Sequence, residues 1–519
     1  MKKILLAAAL FSILIPVKGQ NIITLYPDSA KEQISRHIYG HFAEHLGRCI
    51  YEGIWVGPDS PIPNTRGIRN DVVKALRDIK VPNVRWPGGC FADTYHWMDG
   101  VGDPSQRKKI VNTNWGGVTE DNSFGTHEFM DLCEQLECEP VICGNIGSGT
   151  VQEMADWVEY LTSDAESPMT ELRKKNGREK PWKVKYFGIG NETWGCGGNM
   201  TVEYYSNQLR KYSNFVKNYG DNVLYKIASG SNDKDYPWTE HLVDQWANKT
   251  QGYLKGYMSG ISLHYYTICN NWDIKGSATD FSKEEWGNTF FKTKMMDEFV
   301  KGHSAVLDKY DPENKIGLII DEWGNWFEVE PGTNPGFLYQ QNTLRDALVA
   351  SINLDIFNNN CTRVKMANIA QMINVLQSVI LTKKEKLVLT PTYYVFKMFT
   401  VHHDATLIPS VVKSDNFVIG DNTIPSISGS ASVDKDGKVH ITVTNADPDM
   451  SKEVKIELDG EKSYKFVRGE IITGKELNSL NDFDKSEEVN IKEFKNVKVN
   501  GKNIEIKMPS KSVVMIELK

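Results

Sequence analysis

Lys185-Tyr-Phe-Gly-Ile-Gly-Asn-Glu-Thr-Trp194 joins an apolar run to polar residues at its carboxyl end. The run from Val184 to Ile189 is rich in strand-forming residues, and Gly190-Asn191-Glu192 follows it directly. This pattern is typical of a buried parallel strand whose last residues emerge at the C-terminal edge of a sheet. α/β-Barrel enzymes hold their catalytic groups at that edge.

A second stretch of the same form is Ile316-Gly-Leu-Ile-Ile-Asp-Glu322-Trp-Gly-Asn-Trp326. A single glutamate in such a place is usually a surface or capping acid, but here two follow apolar strands and both have Asn or Trp beside them. Hydrolysis of a glycoside needs one protonated acid and one ionised carboxylate, about 5–5.5 Å apart in retaining enzymes. We therefore predict that Glu192 and Glu322 form such a pair, in which the charge of Glu322 disfavours ionisation of Glu192.

Strand and helix patterns alternate on both sides of these stretches. Helical periodicity is clear at 72–79, 129–136 and 204–219. The eight strand candidates are 38–45, 84–89, 140–145, 184–191, 224–229, 260–266, 316–322 and 364–371. Eight strands with intervening helices predict a (β/α)₈ TIM barrel.

Beyond about residue 400 the helical patterns give way to turn signals. Asp-Gly or Asn-Gly pairs stand at 436–437, 459–460 and 500–501, and alternating apolar residues at 497–499 face those at 504–506 across the last pair. These are hairpin signatures. They predict an antiparallel β-sandwich after the barrel, so the fold class is α/β plus all-β.

The predicted organisation has four parts. Residues 1–19 are a signal peptide, with Lys2 and Lys3 before an apolar run. Residues 20–37 supply N-terminal strands that join the sandwich, 38–390 form the barrel, and 391–519 form the C-terminal sandwich. The signal predicts export to the periplasm or secretion.

Composition excludes several function classes. Loss of the signal removes three lysines and takes the formal net charge from −7 to −10. An acidic protein without a basic block is a poor nucleic-acid binder. No stretch after the signal reads as a transmembrane helix, so we expect a protein that is not embedded in a membrane.

The eight cysteines do not form a regular framework. An exported chain permits disulfides without requiring them, and we interpret most of the cysteines as buried thiols. Which of them pair, if any, stays open. No CxxC pair indicates a zinc site.

His41-Phe-Ala-Glu-His45 fits the His-x-x-Glu-His signature of a zinc peptidase. That motif needs a helix, whereas the surrounding residues favour a strand and a loop. On a strand the two histidines would stand about 13 Å apart at ~3.3 Å per residue, too far to share a metal ion. We therefore predict no metal site.

Several longer motifs make the resemblance specific. Gly190-Asn191-Glu192 and Asp321-Glu322-Trp323 resemble the acid/base and nucleophile motifs of clan A retaining glycosidases. The whole chain after residue 20 is similar to the α-L-arabinofuranosidases of glycoside hydrolase family 51. The likeness extends to Ile38-Tyr-Gly-His-Phe-Ala-Glu-His45, Arg85-Trp-Pro-Gly-Gly-Cys-Phe91, Gly125-Thr-His-Glu-Phe129, Leu263-His-Tyr-Tyr266 and Ala367-Asn-Ile-Ala-Gln-Met372. It implies a barrel followed by a jelly-roll-like sandwich, no cofactor, and a possible homo-oligomer.

The resemblance assigns roles to particular residues. Glu192 would be the general acid/base and Glu322 the nucleophile. The substrate-binding residues would be Glu44, Cys90, Trp115, Asn191, His264, Tyr266, Trp326 and Gln371. His264 has the alternative of a core histidine, and Trp326 that of a packing residue. Tyr265 and Tyr266 point to opposite sides of a strand, and we choose Tyr266 because it shares the face of His264.

Cys90 departs from the family pattern, which has Asn after Pro-Gly-Gly. A thiol forms weak hydrogen bonds, so this side chain is a poor sugar ligand. Cys90 would then donate its backbone N–H or simply shape the turn.

The implied activity is release of terminal α-L-arabinofuranosyl residues from arabinose-containing plant polysaccharides and oligosaccharides. An arabinose-containing glycan is thus the expected partner. Two alternatives stay open: an endo-acting β-glucanase or xylanase on the same barrel, and a non-catalytic glycan-binding protein. The loops at 101–124, 267–296 and 325–340 would decide between a pocket and a groove.

Overall fold

The computed structural model describes residues 21–519, and its centre is a closed barrel of eight strands. All eight neighbouring pairs are parallel. The barrel strands are β2 (Gly40–Phe42), β3 (Asn83–Trp86), β4 (Glu139–Gly144), β5 (Tyr186–Ile189), β6 (Tyr225–Asn232), β7 (Gly260–Thr267), β8 (Gly317–Asn325) and β9 (Val364–Ala370). They follow one another around the barrel in chain order, and β9 closes it against β2. The predicted fold class is confirmed.

Nine α-helices accompany the strands in the described part of the chain. They are α1 (Asn70–Asp78), α2 (Thr126–Leu136), α3 (Val151–Thr162), α4 (Pro168–Lys175), α5 (Val202–Phe215), α6 (Tyr236–Asn248), α7 (Lys283–Tyr310), α8 (Leu344–Asn359) and α9 (Pro391–Phe399). Hydroxyl side chains cap several N-termini: Thr150, Ser282 and Thr343 each accept a hydrogen bond from a backbone N–H of the first turn. These caps satisfy N–H groups that have no partner inside the helix.

The first barrel strand is shorter than predicted. Residues 36–39 form a 3₁₀ turn, β2 spans only 40–42, and the chain then leaves the barrel as a loop. The His45 backbone N–H donates to the Pro87 carbonyl at 3.2 Å, so this loop leans on the one that follows β3. Glu44 is thereby placed above the barrel rather than within a strand.

Two sheets pack into the sandwich. Its strands are β1 (Asn21–Leu25), β10 (Thr406–Leu407), β11 (Ser410–Lys413), β12 (Ile427–Val433), β13 (Val439–Asn445), β14 (Lys452–Leu458), β15 (Phe466–Thr473), β16 (Lys492–Glu493), β17 (Val497–Asn500), β18 (Asn503–Met508) and β19 (Ser512–Leu518). One sheet has the order β11-β1-β14-β18-β17, and the other β10-β12-β13-β19-β15-β16. Apolar residues of both sheets, such as Ile23, Ile441 and Ile516, form the core between them.

Two of the three hairpins predicted from Asp-Gly and Asn-Gly pairs are present. The turns at 436–437 and 500–501 join β12 to β13 and β17 to β18. The pair Asp459-Gly460 instead follows β14, and the next strand, β15, lies in the other sheet. The prediction of a hairpin there is wrong, because β14 pairs with β1 and β18 and leaves no edge for β15.

Helix α8 connects the barrel to the sandwich. It is buried on nearly all sides because the barrel strands lie on one side and the sheet of β12 and β13 on the other. Its polar side chains find partners in the sandwich: Ser430 and Thr442 donate to Asp355 at 2.7 and 2.8 Å, and Asn358 donates to Ser430. Residues 391–399, predicted as the start of the sandwich, form α9 and pack on α8.

None of the helices in residues 21–519 combines the length and the apolar character that crossing a lipid bilayer requires.

Candidate active site

The two predicted carboxylates meet at the C-terminal edge of the barrel. Glu192 follows β5 and Glu322 lies near the end of β8, three strands further around the ring. One carboxylate oxygen of each, together with a ring nitrogen of His264, lie within 4.8 Å of one another. The Glu192 side chain is 19% exposed and that of Glu322 is 7% exposed. The edge therefore holds a half-buried acid close to a buried one.

A strained turn presents Glu192 to the centre of this edge. Glu192 has a φ of +38°, and Gly190 before it has a φ of +88°. A non-glycine residue rarely adopts positive φ, and such residues persist where the surroundings hold them in place. Here Gly195 and Gly197 donate their backbone N–H groups to the Glu192 carbonyl at 2.7 and 3.1 Å.

Glu322 is surrounded by donors. Arg85 Nη1 donates to its Oε1 and the Tyr266 hydroxyl to its Oε2, both at 2.9 Å. Burial raises the pKa of Glu322, while the positive charges of His264 and Arg85 act in the opposite direction. Burial alone would lower the pKa of Arg85, but the negative charge of Asp321, followed by that of Glu322, raises it above its already high value. The arrangement holds a carboxylate that faces a permanent cation.

His264 bridges three carboxylates. Its Nδ1 lies 2.8 Å from Glu192 Oε1 and 3.7 Å from Glu322 Oε2, and its Nε2 lies 3.0 Å from Asp321 Oδ1. Burial alone would lower the pKa of this imidazole, but Glu322 and Asp321 raise it to about 10. Burial would likewise raise the pKa of Asp321, but Arg85 and His264 bring it below its usual value. His264 is thus a cation whose two nitrogens are both engaged by protein carboxylates, not a free sugar ligand.

This pKa predicts how His264 affects stability. Because the pKa is about 10 in the folded chain and 6.5 ordinarily, the folded state holds an extra proton between these pH values. The stabilisation is complete below the lower value and is lost as the pH rises through the upper one. We therefore expect His264→Gln to lower the free energy of unfolding most near pH 6, with a difference that narrows toward pH 10. Urea denaturation of both proteins across this range measures it.

His303 offers a matched control for that prediction. It is also buried, and its Nδ1 lies 2.9 Å from the Thr239 hydroxyl, but burial lowers its pKa. The effect of His303→Gln should therefore stay constant between pH 6.5 and 10. A constant difference for His264→Gln as well would contradict an ion pair at that position.

Glu44 accepts hydrogen bonds from a second group of residues, which includes the predicted Trp115 and Gln371. Its Oε1 accepts hydrogen bonds from the backbone N–H of Phe91 at 3.0 Å and from Trp115 Nε1 at 2.9 Å. Its Oε2 accepts one from Gln371 Nε2 at 3.0 Å. Burial is the main cause that raises the pKa of Glu44 to about 7, and the charge of Glu322 adds to it. Residues from three distant parts of the chain therefore converge on one buried carboxyl.

Asn191 and Trp326 complete the predicted set. Asn191 Oδ1 accepts a hydrogen bond from Arg85 Nη2 at 2.5 Å, which leaves the amide NH₂ group to face the site. Trp326 is half-buried and meets Tyr266 edge to face, with ring centroids 5.1 Å apart. Its other neighbour is Trp272, at 5.4 Å, whose side chain is 55% exposed. Tyr265 points away and donates to the Lys292 carbonyl, as the choice of Tyr266 requires.

Cys90 is not the free thiol that the sequence suggested. It forms a disulfide with Cys196, which lies four residues after Glu192. The other six cysteines are free, five of them buried and one half-buried. Spacing along the chain could not reveal this pair, because the two cysteines stand on loops after β3 and β5, with β4 between them.

Sequence reasoning missed three further residues. Arg85 and Asp321 begin two of the motifs that carry the family resemblance, but we predicted no role for either. Their position at strand ends was a usable signal, since the guanidinium contacts Asp321, Glu322 and Asn191. Asp93 had no such signal: its carboxylate accepts from the backbone of Asn191 at 3.1 Å only because two loops meet.

The zinc-peptidase motif does not form a metal site. His41 lies in β2 and packs on the Phe396 ring, with centroids 4.8 Å apart. His45 lies in the loop, where its Nδ1 meets Glu120 at 3.0 Å and its Nε2 accepts from Trp86 Nε1 at 3.1 Å. Both nitrogens of His45 are therefore occupied by protein partners.

Two family models match this chain. The one described as Alpha-L-arabinofuranosidase 1 domain matches residues 75–272. The one described as Alpha-L-arabinofuranosidase C-terminal domain matches residues 321–512. The first match includes Glu192 and the second includes Glu322.

Known proteins resemble the chain over nearly its whole length. An "Intracellular exo-alpha-L-arabinofuranosidase" from Bacteroides ovatus is 52% identical over 519 residues, which cover 99% of each chain. The crystal structure of a GH51 arabinofuranosidase from Xanthomonas axonopodis pv. citri is 48% identical, with a TM-score of 0.94 over 97% of this chain and 100% of that one. The arabinose complex of an α-L-arabinofuranosidase from Thermotoga maritima is 30% identical, with a TM-score of 0.83 over 96% and 99%.

One of these findings corrects the predicted localisation. The Bacteroides ovatus relative is named an intracellular enzyme, which conflicts with export. The prediction that the chain is exported is therefore wrong. The predicted signal peptide, residues 1–19, lies outside the described residues.

Proposed function

This chain belongs to the α-L-arabinofuranosidases of glycoside hydrolase family 51, as its motifs predicted, and we propose that it is a retaining exo-enzyme. It releases terminal α-L-arabinofuranosyl residues from arabinose-containing plant polysaccharides and oligosaccharides. The observation that carries this proposal is the approach of Glu192 and Glu322 oxygens to within 4.8 Å. Retaining glycosidases hold their carboxyl groups about 5–5.5 Å apart, and inverting ones about 6.5–9.5 Å.

Glu322 is the nucleophile in this proposal. Arg85 and Tyr266 hydrogen-bond its two oxygens, which fixes the plane of the carboxylate before substrate arrives. The positive charges of Arg85 and His264 favour its ionised form, in which it attacks the anomeric carbon. A covalent arabinosyl ester of Glu322 follows, and the glycosidic oxygen departs.

Glu192 is the general acid and then the general base. His264 donates from Nδ1 to its Oε1 at 2.8 Å, so its proton belongs on Oε2, the oxygen that no protein N–H or O–H in residues 21–519 contacts. Oε2 gives this proton to the departing oxygen. It then takes a proton from the water that attacks the ester, which restores both carboxyl groups.

The sugar pocket consists of Glu44, its hydrogen-bond partners Trp115 and Gln371, and Asn191. Glu44, Gln371 and Trp115 form a polar wall that suits the hydroxyl groups of a furanose. The Asn191 NH₂ group donates to the sugar 2-hydroxyl, and such a contact can strengthen in the transition state. Arg85 holds the amide oxygen and thereby decides which end of the amide faces the sugar.

A panel of aryl glycosides tests this function. We expect rapid release of aryl alcohol from an aryl α-L-arabinofuranoside, and at most a hundredth of that rate from the β-D-xyloside and β-D-glucoside. The Glu322→Ala variant serves as the control for contaminating activity. Silence of the wild-type enzyme on all three substrates would contradict the exo-arabinofuranosidase proposal. Equal activity on the xyloside would contradict the sugar assignment alone.

A further inference from the structure

The Cys90–Cys196 disulfide joins two loops that the barrel itself keeps apart. Cys90 begins a 3₁₀ helix (Cys90–Thr94) after β3, and Cys196 lies in the turn that follows β5. Cys196 is exposed and Cys90 is half-buried, whereas five of the six free cysteines are buried. Thiol–disulfide exchange requires access of the attacking thiolate to sulfur, and this disulfide provides it.

The exposed sulfur stands beside the acid catalyst. Cys196 Sγ lies 3.6 Å from Glu192 Oε2 and 3.8 Å from Asn191 Nδ2. Since His264 occupies Oε1, this sulfur is the protein atom that faces the oxygen to which we assign the transferred proton. A disulfide sulfur carries no hydrogen and cannot donate to that oxygen.

Reduction changes this chemistry at one atom. A dithiol reductant supplies two electrons and two protons, the S–S bond breaks, each sulfur gains a hydrogen, and the reductant closes into its own disulfide. The Cys196 S–H group is then a weak donor within reach of Oε2. Donation to the ionised carboxylate favours that form over the protonated acid.

The turn stays in place when the disulfide opens, because Asp93 holds it separately. Asp93 Oδ2 accepts from the Asn191 backbone N–H at 3.1 Å, and its Oδ1 accepts from Ile146 and Gly147 at 2.8 and 2.9 Å. None of these bonds involves a sulfur atom, so breaking the disulfide removes none of them. The effect of reduction is therefore local to the sulfur and the carboxylate.

The other charged and titratable groups around Glu192 are unaffected by reduction. His264 on β7 contacts its Oε1, and Glu322 on β8 lies across the site. The Tyr266 hydroxyl donates to Glu322, and the contacts of Arg85 are to Glu322, Asp321 and Asn191. None of these groups contains a redox-active atom, so a response to reductant would report the disulfide.

We propose that the Cys90–Cys196 disulfide is a redox-sensitive control of the acid catalyst, Glu192. The oxidised form leaves Glu192 Oε2 free to carry its proton. In the reduced form, donation from the Cys196 thiol makes Glu192 a less effective acid. This rests on the proposed function of Glu192. Poor leaving groups need protonation, whereas good ones depart without it, so the two kinds of substrate respond differently.

Activity is measured on a 4-nitrophenyl and an alkyl α-L-arabinofuranoside after diamide oxidation and after dithiothreitol reduction. Thiol titration of the denatured protein should count six thiols and then eight. Reduction should move the alkaline limb of the alkyl-substrate profile down by about 0.5–1 pH unit. It should lower kcat/KM there roughly three- to tenfold. The rate on the nitrophenyl substrate at its optimum should change by less than about twofold.

Two variants distinguish the effect of a hydrogen-bond donor at position 196 from the effect of losing the tether, the covalent link between the two loops. Both carry Cys90→Ala, and one adds Cys196→Ser while the other adds Cys196→Ala. In the serine variant, the alkaline limb of the alkyl-substrate profile should lie at the pH of the reduced wild type, with or without reductant. In the alanine variant, it should lie at the pH of the oxidised wild type. Cys361→Ala, which removes a free buried thiol, should respond to reductant like the wild type.

Several results would overturn the proposal. One is a profile that does not move although the thiol count rises from six to eight. Another is an alanine variant that behaves like reduced wild type, since loss of the tether would then be the cause. A diamide-treated protein with eight thiols would mean that the disulfide does not form. If the oxidised wild type fails on both substrates, the proposed function fails instead, and the two failures are thereby distinguished.

Discussion

Glu322→Gln should remove hydrolysis of every α-L-arabinofuranoside, with a loss of kcat on the order of 10⁴-fold or more. The amide cannot form the ester intermediate, so a better leaving group cannot rescue the reaction. Gln keeps the shape of Glu: its amide oxygen can still accept from Arg85, and its NH₂ group can donate to the Tyr266 hydroxyl oxygen, both of which lie 2.9 Å from the carboxylate in the wild type. Ala would instead leave the buried Arg85 facing a void, so loss of activity in Glu322→Ala could be confused with loss of folding.

The measurement is steady-state kinetics on aryl arabinofuranosides that span good and poor leaving groups. Thermal unfolding of Glu322→Gln checks that the fold persists. Glu313→Gln is the matched control, because Glu313 is an exposed residue paired with Lys315 just before β8. Activity of Glu322→Gln within about a hundredfold of wild type would contradict the nucleophile assignment.

Glu192→Ala should separate the two chemical steps. On a substrate with a good leaving group, arabinosylation of Glu322 proceeds without an acid, and the following hydrolysis lacks its base. We expect a burst of aryl alcohol equal to the enzyme concentration, followed by turnover about 10²–10⁴-fold slower than wild type. On a poor leaving group the first step itself should slow by a similar factor, without a burst.

Stopped-flow absorbance measures the burst, and mass spectrometry of the quenched protein detects one added pentosyl unit. Glu203→Gln is the matched control, since Glu203 lies exposed in the first turn of α5, close in sequence to the same loop. The same partial loss for Glu192→Ala on good and poor leaving groups, with no pentosyl adduct, would show that Glu192 has another role.

The barrel was predictable because its signals are local. Each strand is a short apolar run, and the parallel arrangement makes those runs buried on both faces. The N-terminal strand was harder to place in detail. Ile23 pairs with Ile456 in a parallel register, although the rest of both sheets is antiparallel. No turn signal can announce such a pair, since β1 and β14 are not connected by a hairpin.

The candidate site was predictable as far as its residues sit at strand ends. The C-terminal edge of a barrel collects those ends, so Glu192, Glu322 and Tyr266 could be expected to meet. His264 was assigned to the right place, but its function depends on side-chain distances. Only the structure reveals that Asp321 and Glu192 occupy its two nitrogens.

The loop contacts were beyond sequence reasoning for a physical reason. Cys90 and Cys196, like Asp93 and Asn191, come together because two irregular segments cross the mouth of the barrel. Irregular segments have no periodicity, so nothing in their residues fixes which loop will approach which. A disulfide between them can be found only from the distance between the two sulfur atoms.

The position of β1 has a consequence for how the chain is made. Ile23 leaves the ribosome early, yet its partner Ile456 is added roughly 430 residues later, which takes about 20–90 s at 5–20 residues per second. The other neighbour of β1, β11, is added about 390 residues after Ile23, so the first strand has no partner while the barrel assembles behind it. The sandwich sheet that contains β1 therefore completes only near the end of translation, and a truncated product that stops before β11 would carry its N-terminal strand unpaired.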